Sequence, residues 1–166
     1  MTGGTRSRSR SRVRVSAAED AGFDALFERE RSAMVRVAYL LVGSEQVAEE
    51  VVQDAFAAVY VRWDSIDNPG GFLRQCVVNG ARSSLRRRSL ERRKAHLVVE
   101  EGTAPAGREL LDALAELPLG WRSVVVLRFY EGMTQEEIAD ALEMRLGTVK
   151  SSLHRGLAKL REALEP

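Results

Sequence analysis

The chain has 166 residues with 25 Lys plus Arg against 24 Asp plus Glu, room for one ordinary domain or two small ones, and a net charge of +1 that favours no partner. Cys76 is the only cysteine, which excludes an internal disulfide and any two-thiol metal site and fits a reducing compartment. The longest apolar runs are cut by Arg36 and Arg128 and fall short of the ~20 residues of a spanning helix, and no apolar stretch follows the basic start, so no membrane insertion and a cytoplasmic location are expected.

Residues 1–15, RSRSRSRVRV at their heart, form a low-complexity basic arm that can bury nothing and reads as disordered. Structure is expected from Ser16, where S-A-A-E has the form of a capping box. Phe23, Leu26, Phe27, Met34, Val35, Ala38, Tyr39 and Val42 then recur at helical spacing as far as a glycine stop at Gly43. Ser44 is placed to cap a second helix with Glu45 in its first turn and Val47, Val51, Ala55, Ala58 and Val59 as its inner stripe. The breakers of DSIDNPGG predict a loop. A third helix follows, with Phe72, Leu73, Cys76, Val77, Gly80, Ala81 and Leu85 inward and Arg74, Asn79, Arg82, Ser83 and Arg86 outward.

Positions 93–108 read as a linker. Leu110, Leu111, Leu114 and Leu117 begin a second apolar pattern, and Pro118 opens a helix that carries Trp121, Val124, Val125 and Phe129. Thr134 with Glu137 forms another capping box, for a short helix burying Ile138, Ala139 and Leu142. EMRLG is the turn, and Thr148 is expected to cap a last helix striped by Val149, Leu153, Leu157, Leu160 and Leu164. No period-2 segment appears. The fold class is therefore all-α, two small helical domains (16–92 and 109–166) joined by a flexible linker, the C-terminal one containing a helix-turn-helix.

Charge placement gives the first functional signal. Positions 82–94 hold seven cations against Glu91 alone, and no carboxylate occurs between Met144 and Arg161. In a helix-turn-helix the second helix enters the major groove, where phosphates repel carboxylates and attract Arg145, Lys150, Arg155, Lys159 and Arg161. Thr148, Lys150, Ser151, Ser152, His154 and Arg155 fall off the apolar stripe where base edges are read. A helical hairpin with a solvated basic face is the bland alternative. The chain has no Gly-rich phosphate loop and no metal-ligand spacing, and His96 and His154 lie in the linker and on the basic helix. No enzyme, catalytic residue, metal or cofactor is expected.

These motifs carry a resemblance. L-P (117–118), V-V-L-R-F-Y-E-G-M-T (125–134), E-I-A (137–139) and G-T-V-K-S (147–151) resemble the C-terminal domain of extracytoplasmic-function (ECF) sigma factors of the sigma-70 family. AEEVVQDAFAAVYVRW and NPGGFLRQCVVNGARSSLRRR are similar to the polymerase-docking and promoter-melting helices of the companion domain. The resemblance implies a promoter-specificity subunit whose partners are core RNA polymerase and promoter DNA, and it leaves room for an anti-sigma factor. It implies core-polymerase contacts at Glu50, Gln53, Asp54 and Phe56, with ordinary core packing a real competitor for Phe56. It also implies minus-ten contacts by Asp67, Asn68 and Gly71 in a base-trapping loop and by Asn79, Arg82, Ser83, Arg86 and Arg87 on the third helix. Minus-35 contacts fall to Arg145, Thr148, Lys150, Ser151, Ser152, His154, Arg155 and Lys159. The chain departs from the family pattern at Ser83, Glu143, Arg145 and Ser152; a non-glycine at 143 implies a left-handed residue costing on the order of 1 kcal/mol. A one-component regulator using only the helix-turn-helix, and a protein-binding helical adaptor, are the competing readings.

Overall fold

The computed structural model describes residues 17–95 and 107–165, and all regular structure there is helical. α1 (Ala17–Val42) ends where expected: Gly43 has φ 71°, a left-handed stop that costs glycine little, and its amide bonds the carbonyl of Tyr39 at 2.8 Å. Ser44 caps α2 (Glu45–Val61), its hydroxyl accepting from the Val47 amide at 3.5 Å. A short 3₁₀ turn, Trp63–Ser65, leads to α3 (Pro69–Ala95). α4 (Arg108–Glu116), α5 (Leu119–Phe129), α6 (Gln135–Ala141) and α7 (Leu146–Leu164) complete the chain. The expected arm, the Ser16 cap and most of the expected linker lie outside the described residues.

α1, α2 and α3 form one bundle, with Met34, Leu41, Val52, Val59, Leu73 and Val77 fully buried. α2 and α3 approach closely at Gly80, where a Cβ would stand 3.0 Å from Val51 Cγ1. α4 to α7 form the second bundle around Leu117, Val124, Leu127, Ile138 and Val149. The two are not simply tethered. α1 packs on α4 and α5, and α3 packs on α6, so the apolar cluster runs through both halves.

Several sequence expectations are corrected. α3 continues to Ala95, past the boundary expected at 92. Its first turn begins at Pro69, so Gly71 is helical rather than part of the loop; Asn68 caps the turn, its Oδ1 accepting from the Gly71 amide at 3.0 Å, and Pro69 sits where its missing N–H costs nothing. α7 begins at Leu146, so Thr148 is inside the first turn instead of capping it: the amides of both Thr148 and Val149 reach the carbonyl of Arg145, at 2.9 and 3.1 Å. Phe129 is 63% exposed, because α5 turns Val124–Leu127 inward and its last turn extends beyond the core. Glu143 does adopt the left-handed conformation, with φ 52°.

Candidate nucleic-acid interface

Three surfaces carry the residues expected to be functional. On α2, Glu50, Gln53 and Asp54 are exposed and, at i, i+3 and i+4, share one face. Phe56 does not join them. It is 3% exposed, and its ring lies 4.8 Å from Phe27 and 6.2 Å from Phe23 in edge-on contacts, part of an aromatic cluster with Tyr60 and Trp63. Burying a phenyl group is worth about 1.5–3 kcal/mol, so core packing wins at this position.

The second surface is α3 and the loop before it. Asn79, Arg82, Ser83, Arg86 and Arg87 are all exposed, and the helical repeat aligns them in one stripe. Among the described residues, no carboxylate forms an ion pair with Arg82, Arg86 or Arg87, leaving their charge to act outward. Asp67 and Asn68 are exposed at the N-terminal end of this helix, and Gly71 is half-buried beneath Asn68. Arg74, expected to face outward, turns instead toward the second bundle: its Nε and Nη2 donate to Glu131 Oε2 at 3.0 and 2.5 Å, and Nη2 also reaches Glu30 Oε2 at 3.0 Å. Cys76, half-buried nearby, has its thiol pushed up by burial, against the pull of Arg62.

The third surface belongs to the helix-turn-helix. Thr134 and Glu137 make a complete capping box: the Thr134 amide donates to Glu137 Oε2 at 2.7 Å, and the Glu137 amide to Thr134 Oγ1 at 3.1 Å. The Thr134 amide first, and its hydroxyl second, hold the Glu137 carboxyl below its ordinary value. α7 then presents Arg145, Thr148, Lys150, Ser151, His154, Arg155 and Lys159 to solvent, with no acidic residue in its first turn. An electropositive helix start and a cationic face together suit a polyanion. Ser152 is the exception: it is 5% exposed, on the inner side of α7 beside Val149 and Leu153. The Arg155 guanidinium lies over the Trp121 ring, its Cζ 5.9 Å from the ring centre, and the residue stays exposed at the surface. Lys159 leans back to the Glu116 carbonyl at 3.4 Å.

Residues 26–91 match the model of sigma-70 region 2, and residues 107–160 match that of sigma-70 region 4. The architecture and the cationic surfaces thus define a promoter-recognition protein of the bacterial transcription machinery. The chain is 37% identical over 151 residues to an RNA polymerase sigma-E factor of Streptomyces coelicolor, covering 86% of this chain and 85% of that one. It is 30% identical over 165 residues to the ECF RNA polymerase sigma factor SigL of Mycobacterium tuberculosis, covering 91% and 93%. Among solved structures it resembles a sigma factor RpoE crystallised with the anti-sigma factor NepR from Bartonella quintana, with TM-score 0.73, 22% identity, and 87% and 97% of the two chains covered. CnrH, solved with the cytosolic domain of CnrY, aligns with TM-score 0.68 at 26% identity over 88% of this chain and 89% of that one.

The chain belongs to the sigma-70 family, in its ECF branch. It works with RNA polymerase at promoters to start transcription, and it is a specificity subunit rather than an enzyme. The two competing readings fail because region 2 and region 4 are both present in order. No helix among the described residues is long and apolar enough to cross a membrane.

Proposed function

We propose that the three surfaces divide the labour of promoter opening. The exposed acidic face of α2, Glu50, Gln53 and Asp54, docks on core polymerase, with Phe56 shaping that helix from within. The stripe Asn79, Arg82, Ser83, Arg86 and Arg87 grips the minus-ten element, and Asp67 and Asn68, with Gly71 beneath them, receive an extruded base. Flipping a base costs a few kcal/mol of stacking, which a fitted pocket and neighbouring cations offset without any nucleotide hydrolysis. Arg145, Thr148, Lys150, Ser151, His154, Arg155 and Lys159 read the minus-35 element, and Ser152 supports that helix from its buried side. The units 16–92 and 109–166 then act as two weak DNA-binding modules whose joint use on one polymerase yields a usable affinity. We place this work in the cytoplasm. The sigma factor–anti-sigma complex among the structural neighbours supports an anti-sigma factor as a further partner.

The observation that carries this reading is the separation of signs: carboxylates on the outer face of α2, unpaired arginines on α3 and a carboxylate-free start to α7. Run-off transcription with core polymerase tests it. Core-dependent initiation should fall when Asp54→Lys breaks docking and when Arg82→Ala with Arg86→Ala weakens melting. Full activity of both variants on every promoter tried would refute the assignment.

A further inference from the structure

Three of the large apolar side chains left in water gather around one groove: Leu110 of α4, 44% exposed, and Phe129 and Tyr130 at the end of α5, 63% and 40% exposed. Contiguous apolar surface of this kind marks a binding site more often than a chance exposure. The groove encloses about 540 Å³, within the range of sites for small molecules. Buried Leu114, Val125, Val126 and Leu160 supply its floor. From α1 come Arg36, Tyr39 and Leu40, which share one helix face at i, i+3 and i+4. Arg36 interrupts an apolar run of the sequence, and this groove is where it points its charge. No carboxylate lines the groove. Among the described residues Arg36 forms no ion pair, and the hydroxyls of Tyr39 and Tyr130 make no hydrogen bond.

We propose that this groove binds a long-chain carboxylate, an alkyl chain with a single anionic end. The alkyl chain packs on Leu40, Leu114, Val126 and Phe129, and the carboxylate meets Arg36, with the Tyr39 hydroxyl as a second donor. Charge decides the ligand class. A guanidinium presents parallel N–H groups that match the two oxygens of a carboxylate, while a cationic head group is repelled and a neutral one gains no charge contact. Position decides the orientation. Arg36 is exposed at the edge, and no charged side chain lies among the floor residues, so the anion stays at the mouth and the chain runs inward. The groove uses none of the side chains assigned to polymerase or DNA.

Calorimetric titration of the full chain tests this, with octanoate, decanoate, decanol and decyltrimethylammonium each kept below its micelle concentration. Decanoate should bind saturably, one molecule per chain, and more tightly than the alcohol or the ammonium. The two methylenes that separate octanoate from decanoate should tighten binding on the order of tenfold. Arg36→Gln should weaken decanoate about fivefold, the upper end for a charge pair that water still reaches, and leave decanol unchanged. Phe129→Ser should weaken both. Val61→Ser, which removes an apolar side chain that is 83% exposed on α2, should weaken neither. Equal losses in Phe129→Ser and Val61→Ser would mean general adsorption and overturn the proposal. Unchanged decanoate affinity in Arg36→Gln would do the same, since the anion would then have no partner. Absence of saturable decanoate binding would also overturn it. In that case dimerisation in sedimentation that Phe129→Ser abolishes would make a second copy the occupant, and capture of anionic phospholipid vesicles would make it a membrane surface.

Discussion

Arg122 of α5 joins the ends of two helices from different halves of the protein: Nη1 donates to the carbonyl of Leu41 at the end of α1, and Nη2 to the carbonyls of Ala115 and Leu117 at 2.8 and 3.0 Å. Helix ends leave carbonyls without partners and carry partial negative charge, so one cation serves several of them. The group is 7% exposed, its Nε has no partner, and burial pulls its pKa down from the ordinary arginine value. Arg122→Met keeps the length and removes the donors. Carbonyls stranded by that change should cost about 2–3 kcal/mol, less whatever is recovered by no longer burying a charge. The check is the urea midpoint followed by tryptophan fluorescence, and an unshifted midpoint would contradict the bridging role.

Gly156 on α7 makes a sharper steric test. A Cβ there would sit 2.8 Å from Val125 Cγ2, and Val125 is itself buried on α5. Alanine gains about 1 kcal/mol of helix propensity but meets a stiff β-branched neighbour, where overpacking costs about 1–3 kcal/mol. The clash should win, lowering stability by about 1 kcal/mol and displacing α7 from α5. Adding Val125→Ala should restore part of the loss, so the two changes couple in a double-mutant cycle. Strict additivity would mean that the close approach is not what holds glycine there.

Much of this fold was legible because its signals are local. Gly43 and the caps at Ser44 and Thr134 involve partners within a single turn, while the left-handed residue at 143 was implied by the resemblance, in which that turn position often holds glycine. What escaped was long-range. Arg74 was assigned outward by helical phase, yet its partners lie 44 and 57 residues away in sequence. Arg122 reads as a surface cation until Leu41, 81 residues distant, is placed beside it. Phe56 and Ser152 illustrate a related limit. Both sit near the edge of an apolar stripe, and which edge turns inward was decided by neighbours on other elements: Phe23 and Phe27 for Phe56, and the packing of α5 and α6 on α7 for Ser152. The cationic residues of α3 and α7 are exposed as helical phase predicts, because charge segregation follows from composition and the helical repeat.

Glu143, with φ 52°, is a backbone cost in the turn of the helix-turn-helix. Glycine at this position should relieve about 1 kcal/mol of left-handed strain and give back about 0.4–1 kcal/mol through a more flexible unfolded chain. Glu143→Gly is therefore expected to raise stability by no more than about 0.5 kcal/mol, without moving α7. Thermal unfolding measures the first effect and DNA affinity the second. A clear destabilisation would show that the glutamate side chain makes a contribution the backbone angle does not reveal.

The capping box gives a pH dependence of defined sign. Thr134 holds the Glu137 carboxyl below its usual value in the folded protein. A group depressed on folding adds stability above its unfolded pKa, about 4.3 for glutamate, and that stability is lost as pH falls through the lower folded value. Between neutral pH and pH about 4 the contribution stays largely in place, fading only in more acid solution. Glu137→Gln should flatten the acid limb of the stability curve while changing the neutral region little, because the amide oxygen still accepts from the Thr134 amide. Parallel curves for the two proteins in urea titrations across the acid range would rule out this contribution.

Arg155 bears on whether α7 reads sequence or only charge. It stands over Trp121 at 5.9 Å on the exposed side of a helix whose first turn has no acid, one turn beyond Ser151. If its guanidinium reaches a base edge, Arg155→Ala should remove about 1–3 kcal/mol of discrimination at one upstream position and leave other positions as they were. If it meets only phosphate, affinity should fall evenly for all sequences and the salt slope should drop by about 0.9. Lys150→Ala supplies the comparison, since an ammonium on the same exposed face acts mainly as a point charge. Holoenzyme binding to a promoter library with single-position changes in the upstream element, measured at two salt concentrations, separates these outcomes. An unchanged base preference together with an unchanged salt slope would take Arg155 out of the interface.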